Sequence, residues 1–408
     1  MERTISFWTR LRNEPNIFFK KLIDRSLFLF NLIAIAPYTI VFTLEVTSKI
    51  FFCILEILRW IPGVKKLEQI QEQTVILLAK KIMKDERDYP FLQTIFAIAP
   101  LLIFSVGLQL ILPGFSWGLA VLHLVLLFGP RKLDFYFHFF ACKHLEAHRL
   151  QGLYKKPYNL FLNRYFEWFL GVFYGNIPEM ERCAHVGIHH AENNNYRDNL
   201  STLKYDRTKL FHFIQYVFYN SYWHNSGLGV LVYFYKNKKW KLFKQMAIGI
   251  TFFYSAILIA LLVDWRFCLM YLILPHLIHQ CLNAFLNWTW HIFADPEEPT
   301  NYYTGTITLI EDEDDFMYEN YHLTHHLQPS RHWSDNYTHF QANQNGIYRD
   351  KSAMVFKGIN LKKVFVLTTR STDLDELAKY YVDLSNKLDR QEIVKLLRAR
   401  TRPIELTS

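Results

Sequence analysis

Charge is in short supply in this chain. Asp, Glu, Lys and Arg make up 20% of its 408 residues, against about 25% in an average soluble protein. Cysteine is scarcer still and carries no pattern. Cys53, Cys142, Cys183, Cys268 and Cys281 are odd in number and lack C-x-x-C spacing. That argues against a zinc ribbon and against a disulfide framework, and favours a reducing, cytosolic face. No repeat of fixed period and no low-complexity segment is present, which sets aside solenoids. No basic–aromatic motif of a nucleic-acid reader is visible, so nucleic acid is not an expected partner. The first apolar run ends without a small-residue cleavage site, so no secretory leader is expected.

What the chain has instead is apolar and aromatic surface, 51% hydrophobic residues of which many belong to the 17% that are aromatic. The length would allow two or three soluble domains, but the apolar residues fall in runs long enough for a bilayer. The net charge is +9, and the basic excess lies near the ends of those runs, as expected at a cytoplasm-facing membrane surface.

A basic lead-in over 1–25 precedes an apolar run at 27–44, close to the ~20 residues that a spanning helix needs. A second run at 50–61 contains Glu56 and Arg59, and fits either another crossing or an interfacial amphipathic helix. The charged stretch 65–88 reads as a surface helix and linker. Two apolar runs follow, 91–112 and 115–128, with Pro113-Gly114 between them and Arg131 and Lys132 after them. Such a short turn predicts a helical hairpin with both ends on one side. Stretch 158–174 is aromatic, interrupted by Arg164 and Glu167, and reads as an interfacial helix; 209–235 is aromatic and half-apolar. The lysine-rich segment 236–244 marks a further boundary before a second hairpin, 246–263 and 267–290. Residues 294–318 read as a polar connection, and 349–408 as a soluble tail with capping pairs at Thr372/Asp375 and Asp389/Glu392. The expected fold class is therefore an all-α integral membrane protein with two transmembrane hairpins. The expected divisions are 1–88, a membrane-associated region; 89–345, the main body; and 346–408, the tail.

Histidine is placed with more order than anything else. His144 and His148 are spaced i, i+4. His185, His189 and His190 repeat that spacing with an added neighbour, and His322, His325 and His326 fall at i, i+3 and i+4. Asn287 and His291 lie one turn apart at the end of the last apolar run. On an α-helix, such spacing projects the imidazoles from one face. One cluster of this kind is matched by ordinary hydrogen-bonded histidines about half the time; three clusters are not. Because both hairpins turn on the far side, all four groups are expected to share one compartment. Nine histidines with Asn287 are too many ligands for one metal and about right for two, and imidazole suits iron without carboxylates. The Glu-x-x-His motifs of soluble di-iron bundles are missing except at Glu319/His322, where the spacing reads as coincidence. His276 and His279 read as hydrogen-bonded within the bundle, and His123 and His138 as bystanders. His332, which follows the last cluster, is a candidate second-shell partner fixing a ligand's tautomer.

The set HLEAH, HVGIHH, NWTWH and HLTHH resembles the membrane fatty acid desaturase superfamily, whose pattern is H-x(3–4)-H, H-x(2–3)-H-H and H-x(2–3)-H-H. HHAENN and HIFADPEEP are similar to segments of microbial members, and the likeness covers roughly residues 90 to 345. The resemblance implies a helical membrane bundle capped by a cytosolic helical domain that holds two iron ions on His144, His148, His185, His189, His190, His291, His322, His325 and His326, with Asn287 acting directly or through a water. It implies oxygen-dependent insertion of a double bond into a fatty acyl chain carried by CoA or a lipid. A separate b-type cytochrome or ferredoxin would donate the electrons. The membrane would be the endoplasmic reticulum in a eukaryote or the inner membrane in a bacterium. A lipid or carotenoid hydroxylase of the same superfamily is the near alternative. A metal transport or storage protein is the alternative from another class, and it would place its ligands near the bilayer midplane.

Overall fold

The computed structural model describes residues 62–129, 135–312, 315–369 and 374–404. The runs expected at 27–44 and 50–61, the basic pair Arg131 and Lys132, and Thr372 of the first capping pair lie outside the described residues. Helix α1 (Pro62–Ile82) covers the charged stretch expected to be a surface helix. Val75, Ala79 and Ile82 fall at helical spacing on its one buried side. Helix α2 (Tyr89–Ile111) starts on Pro90, which suits a first turn whose N–H would have no partner. Helix α3 (Trp117–Phe128) returns against it. Gln109 ties the turn by accepting from the Ser116 N–H at 3.2 Å and donating to Gly114 O at 3.3 Å. His123 in α3 meets Ser105 in α2 at 2.8 Å, so it is a hydrogen-bonded filler of the hairpin.

The expected first hairpin differs from the structure in one respect. Helix α3 has 12 residues, a length of about 18 Å, short of a hydrocarbon core of about 30 Å. Among the described residues, three helices are long and apolar enough to cross: the stretch Glu86–Ile111 that contains α2, and the later Trp240–Val263 and Trp265–Trp290.

Helix α4 (Phe135–His148) carries the first histidine pair. The 158–174 stretch does not form one interfacial helix. It breaks at Arg164, whose φ of 67° is left-handed, because Asn163 Oδ1 accepts the N–H groups of Leu153 and Tyr154 and the Arg164 N–H turns to Glu146 Oε1 at 2.7 Å. Helix α5 runs over 181–192, wound as a π-helix at Glu181–His189 and as an α-helix at His190–Glu192. Helix α6 (Leu210–Tyr219) continues into a π-turn, Asn220–Asn225, and Gly227 separates it from α7 (Leu228–Lys236). Helices α8 (Trp240–Val263) and α9 (Trp265–Trp290) form the second hairpin on a turn at Asp264, which accepts the Arg266 N–H at 2.9 Å. Gly175 sits at φ +79° against α9, where a Cβ would meet the His276 backbone at 2.2 Å. Its carbonyl takes the His276 imidazole, while His279 bonds to the Tyr136 hydroxyl at 3.1 Å. Both histidines are thus satisfied within the bundle.

The polar connection after α9 hides a strand. β1 (Ile307–Ile310) pairs in parallel with β2 (Met354–Lys357), and helix α10 (His322–Leu327) lies in the crossover between them. Among the described residues this two-stranded ladder stands in a mostly helical fold. The tail is therefore bound to the body, not separate from it. Helix α11 (Leu361–Thr369) packs Phe365 against Phe285 of α9 and Phe213 of α6. Helix α12 (Arg390–Arg400) begins on the expected Asp389/Glu392 capping box. Beyond α12, the fully buried Arg207 guanidinium donates to the carbonyls of Ile292, Thr202, Leu203, Tyr205, Arg400 and Arg402.

Candidate metal centre

Helices α4, α5, α9 and α10 end or begin at one place, and nine imidazoles meet there. They sort into two groups. His144, His148, His185, His190 and His325 form one, and His189, His291 and His326 the other; within each group one ligand atom per residue lies within 4.8 Å of every other. His322 adjoins the second group, with Nε2 at 3.2 Å from His326 Nε2 and its ring stacked on Trp290 at 4.2 Å.

Local winding decides the sorting. An α-helix would put His185 and His189 on one face. The π-turn instead closes i→i+5, and the His190 N–H reaches His185 O. His185 and His190 therefore share a face and approach to 2.9 Å between Nε2 atoms, while His189 turns to the second group. π-Turns of this sort occur often at functional sites. Helix α10 divides its histidines in the same way. His325 Nε2 lies 2.8 Å from His144 Nε2, and the adjacent His326, about 100° around the helix, faces His189 and His291 at ring distances of 5.1 and 5.0 Å.

The spacing fits metal ligation. Two imidazole nitrogens bound at about 2.1 Å and at right angles on one ion lie about 3.0 Å apart. The close Nε2 pairs are at 2.8, 2.9, 3.1 and 3.2 Å. The His148 Nε2 is buried with no hydrogen-bond partner, as a waiting ligand atom would be. Burial holds His144, His185, His190, His322, His325 and His326 well below the usual imidazole range, and repulsion among the rings adds to this. Burial first, then the same repulsion, pushes His148 and His291 down to about 3. Neutral imidazole is the form that binds a metal. His291 donates Nδ1–H to Gly305 O at 2.9 Å, which leaves its Nε2 lone pair aimed inward.

A family model described as fatty acid desaturase matches residues 115–336, more than half of the chain and all four histidine groups. The chain belongs to the fatty acid desaturase family. Neither the curated proteins nor the solved structures supply a match. Membership makes the protein an oxidoreductase of the desaturase/hydroxylase type with a lipid-related function, from a family that typically depends on iron.

Asn287 and His332 have partners of their own in this desaturase-family protein. Asn287 adjoins the centre, but its Nδ2 donates to Leu200 O at 2.9 Å and to the Tyr216 hydroxyl at 2.7 Å. His332 is held by side chains outside the nine histidines. Its partners are Asp88 at 3.0 Å, Asp85 at 3.6 Å and the Ser334 hydroxyl at 2.8 Å, and Trp333 Nε1 bonds the same Asp88 carboxylate. With Trp333 it latches the start of α2 to the loop after α10. His332→Ala is accordingly expected to keep its full metal content and to lower the thermal midpoint by a few degrees. Metal analysis beside a melting curve checks this; loss of an ion would restore His332 to the metal centre.

Two carboxylates stand beside the rings; sequence spacing gives no signal for Asp198, and that of Glu319 reads as coincidence. Asp198 Oδ2 lies 2.7 Å from His189 Nδ1. Glu319 does not pair with His322, whatever its spacing; its Oε2 lies 3.4 Å from His144 Nδ1. Burial, then Asp315 and Glu181, holds the Glu319 carboxyl well above the usual range.

Proposed function

We propose that the nine histidines hold two iron ions and that the protein is an oxygen-dependent fatty acyl desaturase. The observation that carries this reading is the division of the imidazoles into two adjoining groups with nitrogen spacings suited to one ion each. His144, His148, His185, His190 and His325 would hold one ion. His189, His291, His322 and His326 would hold the other, with Asn287 beside it. Iron bound there supplies the oxygen activation needed to break an unactivated C–H bond. The chain's part is to keep the imidazoles neutral and oriented, and to bury them so that bulk water does not compete. His291 is fixed by Gly305 O, and His322 is pinned against Trp290.

The substrate is proposed to be an acyl chain on CoA or a membrane lipid, and the electron donor a separate b-type cytochrome or ferredoxin. The four histidine groups are proposed to face the cytosol, in the endoplasmic reticulum or a bacterial inner membrane. Their meeting at the ends of α4 and α9, away from mid-span, speaks against a transporter. The purified protein is expected to carry about two irons per chain, and a host expressing it is expected to accumulate a new unsaturated acyl chain. Metal analysis and mass spectrometry with double-bond localisation test both points. One ion or none in active protein would sink the two-iron reading, and a hydroxylated product would assign the hydroxylase branch instead.

A further inference from the structure

The polar run AENNNYRDNLST after the second histidine cluster looks like a solvated loop in the sequence, yet residues 194–202 are largely buried against the smaller histidine group. Asn193 and Asn194 adopt left-handed φ angles of 46° and 59°, a conformation that asparagine tolerates better than most residues. They end α5 and turn the chain back under it. Asp198, 5% exposed, thereby reaches His189. Its carboxylate has no freedom left: Oδ2 accepts from His189 Nδ1 at 2.7 Å and from the Asn194 N–H at 3.0 Å, and Oδ1 accepts from the Leu200 N–H at 2.8 Å.

The same loop is wired to the other members of that side of the centre. Asn194 Oδ1 accepts the Thr202 N–H at 2.8 Å, and Ser201 donates its hydroxyl to Asn194 O at 2.7 Å. Thr202 donates its hydroxyl to the His291 carbonyl at 2.7 Å, and Leu200 O accepts from Asn287 at 2.9 Å. One loop of nine residues thus contacts His189, Asn287 and His291. In the larger group the carboxylate beside His144 is set differently: Glu319 stands 3.4 Å from His144 Nδ1, which has no hydrogen-bond partner among the described residues.

We infer that Asp198 is a positioning residue for the His189/His291/His326 group, holding His189 as the Nδ1–H tautomer with Nε2 turned to the metal. The inference rests on the reading that this group binds a metal. A carboxylate accepting from the far nitrogen of a ligand imidazole fixes the ring and raises its basicity, and loss of such a partner costs about 10–100-fold in metal affinity. The effect is confined to one of the two groups, since Asp198 touches only one.

The test uses the full-length protein in detergent, with its own iron, dialysed against graded chelator and measured for iron per chain. Asp198→Asn is expected to release one iron at about 10–100-fold lower chelator than the wild type and to keep the other unchanged. In a His189→Ala background the same substitution is expected to add nothing, since it acts through that ring. Asp206→Asn is the control. Asp206 makes a similar turn contact, to the Thr208 N–H at 3.0 Å, away from the centre, and both irons are expected to stay. Wild-type retention of both irons in Asp198→Asn, release of both in step, or an additive loss on top of His189→Ala would overturn the proposal. If Asp198→Asn is not monodisperse, Asp198→Glu takes its place. It keeps the charge but moves the carboxylate by one methylene, and the same selective release is expected. A wild-type protein with fewer than two irons would count against the two-metal reading itself, not against Asp198.

Discussion

His325→Ala is expected to abolish product formation in a protein that still folds and inserts. Its Nε2 stands 2.8 Å from that of His144, and its ring lies 4.6 Å from His148 and 5.0 Å from His190. On the proposed two-iron reading, removing it opens a coordination position in the larger group. Little else depends on that ring. Helix α10 is anchored by Leu323, fully buried beside Phe340 and Tyr348, and by the Thr324 hydroxyl on the Tyr348 hydroxyl at 2.8 Å. His189→Ala is expected to behave in the same way through the smaller group. The effect should exceed the ~100-fold upper figure for a residue that only supports a ligand. His123→Ala, His138→Ala and His339→Ala should keep substantial activity: His123 bonds Ser105, His138 stacks on Phe316 at 3.9 Å, and His339 lies near the Tyr348 hydroxyl at 3.5 Å. Product analysis by mass spectrometry, at matched expression, checks the set. Full activity in His189→Ala, or none in His123→Ala, would put the centre elsewhere.

Arg207→Ala is expected to do more damage to the fold than any single histidine substitution. The side chain is 0% exposed and donates to six carbonyls from three separate parts of the chain. Its own N–H adds a bond to Thr401 O at 2.9 Å. Each carbonyl left buried without a donor costs about 1–3 kcal/mol, so a few of them consume much of a typical stability margin of about 5–15 kcal/mol. The variant should accumulate poorly and, where it can be extracted, melt well below the wild type. Arg207→Lys should fall between the two, because an ammonium offers three donors from one point and cannot span the carbonyls that the planar fork reaches. Heat-step size-exclusion in detergent measures this, and a midpoint within about two degrees of the wild type for Arg207→Ala would refute it.

The sequence made the inventory of the centre legible but not its partition. Histidine spacing named the nine imidazoles that meet in the structure. Period 3.6, however, pairs His185 with His189, and only the π-winding of Glu181–His189 shows that His185 belongs with His190. Nothing local announces a π-turn. Asp198 was hidden for a different reason. Among consecutive polar residues a carboxylate that meets a ring looks like one that meets water, and the left-handed turn at Asn193 and Asn194 that brings it back is visible only in the backbone. The strand Ile307–Ile310 is four residues long and pairs with a partner 47 residues later, far outside any window of local pattern. Arg207 lies in an equally polar stretch, and its burial depends on carbonyls as far as 195 residues away. What could be read was what repeats along one helix; what could not was whatever depends on two distant segments meeting.

That distance bears on the order of synthesis. Thr202, which holds the His291 carbonyl, lies five residues before Arg207, and Arg207 joins that stretch to Ile292 and to residues 400–402. The membrane helices Trp240–Val263 and Trp265–Trp290 precede residues 400–402 in the chain, so two of the six carbonyl contacts of Arg207 are the last of them to be synthesised. The last support of the loop beneath His189 is therefore a short piece of backbone at residues 400–402 that contributes no histidine to the centre.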